Sequence, residues 1–212
     1  ILITQIMMNK ECGRKKTMII VHNDVVENHV AELIDSEMRN VTWKYDYHSR
    51  GNPKTPRRGH EGWESHPSKH WHRLCGKNGQ QVIANGFEFV MPVWTAAMYK
   101  YDFKKSFIIT GYKRIYVNAH THGIEPVLHT DDGDFTMIYY PRLDWKPDAW
   151  GGGTLINGQL VPYKGNRLVV FDAHLEHKAM PVSRECYQLR SVVVFKSNIK
   201  DANHERLDFY NV

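Results

Sequence analysis

The chain has 212 residues, 42% of them hydrophobic and 24% charged, which is the length and balance of one globular domain with a full core and room for a small helical appendage. Its 28 Lys and Arg against 23 Asp and Glu give a formal charge of +5, a weak preference for anionic partners that thirteen His strengthen on mild acidification. Three scattered cysteines, Cys12, Cys75 and Cys186, form no C-x-x-C pair, which argues against a disulfide framework and a thiolate zinc site and for a reducing, cytoplasmic setting; no apolar run approaches a membrane span.

The opening stretch Ile1 to Met8 is apolar but short, without a basic segment before it or a small-residue cleavage site after it, so it makes a poor signal peptide. Residues 1–16 are read as an N-terminal extension, and 17–212 as one domain. From Asn23 to Met38, Val26, Val30, Leu33, Ile34 and Met38 recur at helical spacing, and Asp24 followed by Glu27 suits a capping box. Residues 48–80 are rich in Gly, Pro, His, Trp and basic side chains without a sustained period, which predicts a long loop or lid. A second helix is predicted from Pro92 to Lys105, with Trp94, Ala97, Met98 and Tyr101 on one face. Residues 17–109 would thus form a helical support carrying the loop.

After Thr110 the texture changes to short β-branched and aromatic segments punctuated by Gly, Pro and Asp: 112–118, 124–130, 135–141, 154–156, 167–172 and 188–196. That spacing predicts a mainly β sandwich or barrel over residues 110–196. If the strand at 124–130 continues through His129-Thr130-Asp131, the two outer side chains project to one face and can reach one ion. His177, just beyond a strongly apolar strand, offers a third ligand. Two imidazoles and a carboxylate form a facial triad that leaves coordination positions open, as in non-haem Fe(II) oxygenases.

The order of motifs is more specific than any one of them. His129-x-Asp131 is followed by the strand Phe135 to Tyr140 containing Thr136, the Gly-Gly-x-Thr turn ending at Thr154, the Pro-x-x-Gly turn at Pro162, an apolar strand, His177 before Pro181-Val182, and a strand with Arg190. This order resembles the prolyl-4-hydroxylase-like branch of the Fe(II)/2-oxoglutarate-dependent oxygenases. The resemblance implies a double-stranded β-helix (jelly roll) buttressed by N-terminal helices, with Fe(II) held by His129, Asp131 and His177, and with 2-oxoglutarate and O2 as cosubstrates. It assigns the distal carboxylate of 2-oxoglutarate to Arg190, whose planar fork grips a carboxylate bidentately, with Arg184 the alternative on spacing. It also gives Tyr140 and Asn118 cosubstrate contacts. Core packing of Tyr140 and a turn role for Asn118 are the bland alternatives.

By the same resemblance the reaction is hydroxylation, with release of succinate and CO2, of a peptidyl substrate of prolyl type. Arg57, Arg58, Trp63, Trp71 and Arg73 mix charge with flat aromatic surface and are candidate substrate residues; such mixtures also suit single-stranded nucleic acid, and a peptide ranks first, nucleic acid second and a small molecule third. Two rivals remain open. His120 and His122, with Glu125, resemble a cupin metal site, and the His-rich stretch His48 to His72 would suit a non-enzymatic module binding metal or nucleic acid.

Overall fold

A computed structural model describes residues 4–9, 17–48, 69–77, 84, 86–100, 108–124 and 126–200. Eleven strands are arranged in two sheets among these residues: β1 (Thr4–Asn9), β2 (Thr17–Asn23), β3 (Lys44–His48), β4 (Lys69–Lys77), β5 (Ile108–His120), β6 (Phe135–Tyr140), β7 (Thr154–Ile156), β8 (Gln159–Val161), β9 (Arg167–Asp172), β10 (His177–Ala179) and β11 (Arg190–Lys200). The helices are α1 (Asn28–Arg39), α2 (Met91–Lys100) and the single turn α3 (Pro147–Trp150). The large sheet runs β1-β2-β9-β6-β11-β5-β4-β3 and the small one β10-β7-β8, with antiparallel pairing throughout. This is the mainly β jelly roll with helical support that the motif order implied.

The central strands β6 and β9 are apolar on both faces because both faces are covered, and all six residues of β6 are buried. Alternation then sorts the side chains. Phe135, Met137 and Tyr139 of β6, Val117 of β5 and Val193 and Phe195 of β11 pack under the helices with Ile34, Met38, Val90, Val93 and Ala97. Their neighbours Ile138, Tyr140, Tyr116, Val192 and Val194 turn into the roll, against Ile156, Val161 and Val182. The interior of the roll is the second core, and its polar members define the site.

Several sequence expectations change. Thr4–Asn9, placed in the extension, pairs in register with β2 from Thr4 opposite His22 to Asn9 opposite Thr17. The helix begins at Asn28 rather than Asn23, with Glu27 as its N-cap and no side-chain cap bond, and Asp24 sits at φ 53°, so the capping box does not form. Leu33, at 52% exposure, faces solvent, while the buried Asp35 on the same helix pairs with Arg142 Nε at 2.9 Å. The second helix covers Met91–Lys100; residues 101–105 lie outside the described residues. Within the predicted loop at 48–80, Lys69–Lys77 form β4, paired to both β3 and β5, while 49–68 and 78–80 lie outside the described residues. The segment predicted at 124–130 is not a regular strand over its described residues: Pro126 carries no donor, and His129 alone among them makes a bridge, to His177. The hairpin β7–β8 turns through Asn157 and Gly158, both at positive φ (46° and 78°), the signature of a tight two-residue loop.

Candidate functional site

His129 and His177 face each other across a mutual pair of backbone hydrogen bonds, His129 N to His177 O at 3.0 Å and His177 N to His129 O at 2.8 Å. Two residues on, Asp131 N donates to Ala173 O at 2.8 Å. These bonds supply the alternation that a regular strand would have given, and they bring the three side chains together. One ligand atom from each of His129, Asp131 and His177 lies within 4.8 Å of the others.

The donor atoms are oriented. Nδ1 of His129 lies 2.8 Å from Val127 O, and Nδ1 of His177 lies 2.9 Å from Leu175 O. A carbonyl accepts only from N–H, so each imidazole has a proton on Nδ1 and leaves Nε2 as the atom that can meet a metal, the arrangement that second-sphere bonds give to metal-binding histidines. Nε2 of His177 is 3.4 Å from Asp131 Oδ2, and Nε2 of His129 is 3.9 Å from Oδ1. Thr136 Oγ1 donates to Asp131 Oδ2 at 2.7 Å, and Lys196 Nζ donates to Oδ1 at 2.7 Å. Burial pushes the Asp131 carboxyl up, but the closeness of His177, with Lys196 and His129, outweighs it and holds the group well below the ordinary carboxylate range. The donor set therefore fits a divalent cation, with the Nε2 atoms of the two rings and an ionised carboxylate turned toward one another.

Arg190 opens β11 on the face shared with Val192 and Val194, and it is 1% exposed. Its Nε donates to Gly152 O, and its Nη2 donates to Gly153 O at 3.2 Å and Thr154 Oγ1 at 3.1 Å. The guanidinium carbon lies 5.9 Å from the ring centroids of Tyr140 and Tyr163. Every one of these partners is neutral, and no carboxylate among the described residues pairs with Arg190. A buried cation without a counter-charge is costly unless an anion joins it. Arg184 is exposed, so burial favours Arg190 over that alternative.

The Gly-rich turn explains how the arginine is received. Gly152 has φ +73°, and a Cβ there would stand 2.9 Å from Trp145 Cζ2 and 3.2 Å from Arg190 Cδ. Gly152→Ala is expected to cost about 2 kcal/mol through backbone strain and to displace Arg190; urea unfolding with near-ultraviolet dichroism of the Trp145 environment measures both.

Tyr140 is fully buried with its hydroxyl donating to Thr154 Oγ1 at 2.6 Å, beside the guanidinium. Thus the hydroxyls of Tyr140 and Thr154 and the arginine form one polar group inside the roll. Asn118 points into the roll with Tyr116 and His120, and its Oδ1 lies 2.7 Å from His72 Nδ1. His72 stacks on Tyr47 at 3.9 Å, and His70 packs against His120 at 4.8 Å, so the inner edge of the sheet is walled by aromatic rings.

The structure does not bring Trp71 and Arg73 to the triad. They alternate with His70 and His72 and so occupy the opposite face of β4: Trp71 packs on Tyr45, and Arg73 donates to Thr42 O at 2.8 Å with its guanidinium over Phe87. Arg57, Arg58 and Trp63 lie outside the described residues. Of the cupin set, His122 Nδ1 lies 3.2 Å from Val182 O, His120 sits opposite Arg190 in the β5–β11 register, and Glu125 lies outside the described residues. Among the described residues the one group of three side chains that could hold a metal ion is His129, Asp131 and His177. Thr136, Thr154, Tyr163 and Lys196 were not singled out for roles in the sequence reading. Lys196 was within reach, since Arg190, Val192, Val194 and Lys196 follow one another at period two on a single strand face.

Burial also sets an acid limit. It lowers His22 and His129 from 6.5 to about 4, helped at His129 by the charge of His177, and it lowers His120 well below 6.5 with help from Arg190. The unfolded chain then binds more protons than the folded one as pH falls from 6.5 toward 4, so stability declines through that window. The melting temperature of the metal-free protein is expected to drop steadily from pH 7 to pH 5.

No protein-family model matches the chain, and no curated protein matches it by sequence. Solved structures match by fold. A prolyl hydroxylase from Trichoplax adhaerens, in complex with a hypoxia inducible factor oxygen degradation domain peptide fragment, superposes with TM-score 0.56 at 13% identity, covering 85% of this chain and 83% of that one. The viral collagen prolyl hydroxylase of Paramecium Bursaria Chlorella virus-1, in its 2-oxoglutarate complex, gives 0.53 at 11% identity, covering 86% and 95%. An oxidoreductase of the 2OG-Fe(II) oxygenase family from Burkholderia pseudomallei gives 0.53 at 14% identity, covering 86% and 85%. The chain has the fold of these prolyl hydroxylases and 2-oxoglutarate oxygenases.

Proposed function

We propose that this protein is an Fe(II)- and 2-oxoglutarate-dependent dioxygenase acting in the cytoplasm on a peptidyl substrate of prolyl type. The observation that carries the reading is the buried Arg190, paired among the described residues only with neutral oxygens, inside the same roll that assembles His129, Asp131 and His177. A dicarboxylate that chelates a metal with one end and needs a fixed cation at the other matches both features. His129, Asp131 and His177 would hold Fe(II), which together with 2-oxoglutarate and O2 supplies the oxidising power for C–H hydroxylation, with succinate and CO2 released.

The chain's own part is placement and exclusion. Val127 O and Leu175 O fix the imidazole tautomers, and Thr136 and Lys196 hold the carboxylate plane. Arg190 grips the distal carboxylate, with the Tyr140 and Thr154 hydroxyls beside it. Val192, Val194, Ile138 and Val169 line the roll and keep water from the reacting centre. A peptide substrate is supported by the Trichoplax enzyme's peptide complex and by the ring-lined edge of Tyr47, His72 and Tyr116, which suits a proline ring. The cupin reading leaves Arg190 and its Gly-rich cradle without a role.

Anaerobic spectrophotometry tests the reading. Fe(II)-loaded protein titrated with 2-oxoglutarate is expected to develop the weak visible charge-transfer band of the chelate. Iron-bound, folded protein that develops no band would overturn the 2-oxoglutarate assignment.

A further inference from the structure

Lys196 is the least expected side chain of the site. It lies on the solvent-poor interior face of β11, 5% exposed, with Nζ 2.7 Å from Asp131 Oδ1, 2.9 Å from Asp132 Oδ1 and 5.6 Å from the centroid of the Tyr116 ring. In register it stands between Thr136 of β6 and Arg114 of β5. A lysine this buried requires an anion, and two carboxylates meet it. They are not equivalent. Asp132 is half exposed and also binds Lys113 at 3.1 Å and Arg114 at 2.8 Å, so its charge is already shared with two other cations. Asp131 is 5% exposed in its side chain, and Lys196 is the permanent cation bonded to it. The ammonium charge therefore acts chiefly on Asp131.

Each Asp131 oxygen accepts one donor, Thr136 on Oδ2 and Lys196 on Oδ1. A carboxylate oxygen has a second lone-pair site, so both oxygens can still serve a metal on the side facing the histidines. Resting on the reading of His129, Asp131 and His177 as metal ligands, we propose that Lys196 acts through Asp131 by partly cancelling its charge, so that the site holds a divalent cation more loosely than the same three ligands would alone. A cation at hydrogen-bond distance from a ligand oxygen repels a metal bound to that oxygen, and the low-polarity interior of the roll does little to screen it. The orientation of Asp131 survives without the lysine, because Thr136 and the Asp131 N to Ala173 O bond remain.

A clamp without the electrostatic role would make the opposite prediction, and this separates the two. Mn(II) dissociation constants, measured by calorimetry and electron paramagnetic resonance at constant ionic strength, are compared for wild type, Lys196→Met, Lys196→Arg and Asp132→Asn. Lys196→Met keeps length and lack of branching, and it is expected to bind Mn(II) about tenfold more tightly. Lys196→Arg keeps the charge and is expected within about threefold of wild type. Asp132→Asn, at a half-exposed position that folding tolerates, concentrates the lysine charge on Asp131 and is expected to bind Mn(II) severalfold more weakly. Unchanged or weaker binding by Lys196→Met overturns the inference; should that variant not fold, unchanged or tighter binding by Asp132→Asn overturns it. Wild type that binds no Mn(II) would overturn the metal-site reading itself, and the inference with it.

Discussion

Arg190→Met is expected to remove 2-oxoglutarate binding while leaving the fold within about 1 kcal/mol of wild type. The two effects separate because Arg190 has no counter-charge among the described residues. Its partners are Gly152 O, Gly153 O and Thr154 Oγ1, and burial pushes its guanidinium below its ordinary value, with the rings of Tyr140 and Tyr163 acting the other way. Replacing a buried unpaired cation by an apolar chain of similar volume relieves a desolvation cost, offsetting the loss of donors to two carbonyls. A bidentate charge-assisted grip on a carboxylate, by contrast, is worth about 3 kcal/mol, or more than a hundredfold in affinity. The charge-transfer titration gives the affinity and urea unfolding gives the stability. Destabilisation beyond about 3 kcal/mol with unchanged 2-oxoglutarate binding would make Arg190 a structural residue.

Asp131→Ala reverses the pattern, losing the metal and also destabilising the metal-free protein by about 3 kcal/mol. The carboxylate is the buried anion between Lys196 Nζ and Thr136 Oγ1, and its removal takes the acceptor from Thr136 and one of two anions from Lys196. The cost stays at the low end for a broken buried pair because Asp132 keeps its 2.9 Å bond to Lys196. Acid supplies an independent check. The folded Asp131 carboxyl lies well below its unfolded value, so its contribution is present above about pH 4 and is lost as pH falls toward the depressed folded value. Wild type is therefore expected to lose stability more steeply below pH 4 than Asp131→Ala. Thermal unfolding of the metal-free proteins across that range reads the difference, and parallel curves would place the stabilising charge elsewhere.

Much of the architecture was legible because burial on two faces leaves a simple trace. Phe135 to Tyr140 and Arg167 to Asp172 read as strands from composition alone, since covered sheets need unbroken apolar, β-branched runs. Thr154 to Ile156 was equally plain. The short partner β8 was missed although Asn157-Gly158 is a strong hairpin signal. β4 was hidden in a stretch of His, Trp and Arg because its residues gain order from pairing on both sides, and no local period shows that. The capping box failed for a related reason: Asn166 takes over the helix entry, accepting from Val26 N and donating to Val26 O, 140 residues away in sequence.

The sequence by itself determined the alternation that turns Tyr140 and Arg190 into the roll and the order of motifs that nominates His129, Asp131 and His177. Only the tertiary structure decided that Trp71 and Arg73 lie on the helix side of the sheet, since the face a strand presents depends on its register with β5, and a shift of one residue would invert it. It also decided that the histidines meet through a single bridge rather than a continuous strand, and that Lys196 stands against Asp131. Contacts between residues 65 apart in the chain arise from strand order and pleat, and those are properties of the assembled sheets rather than of any local window.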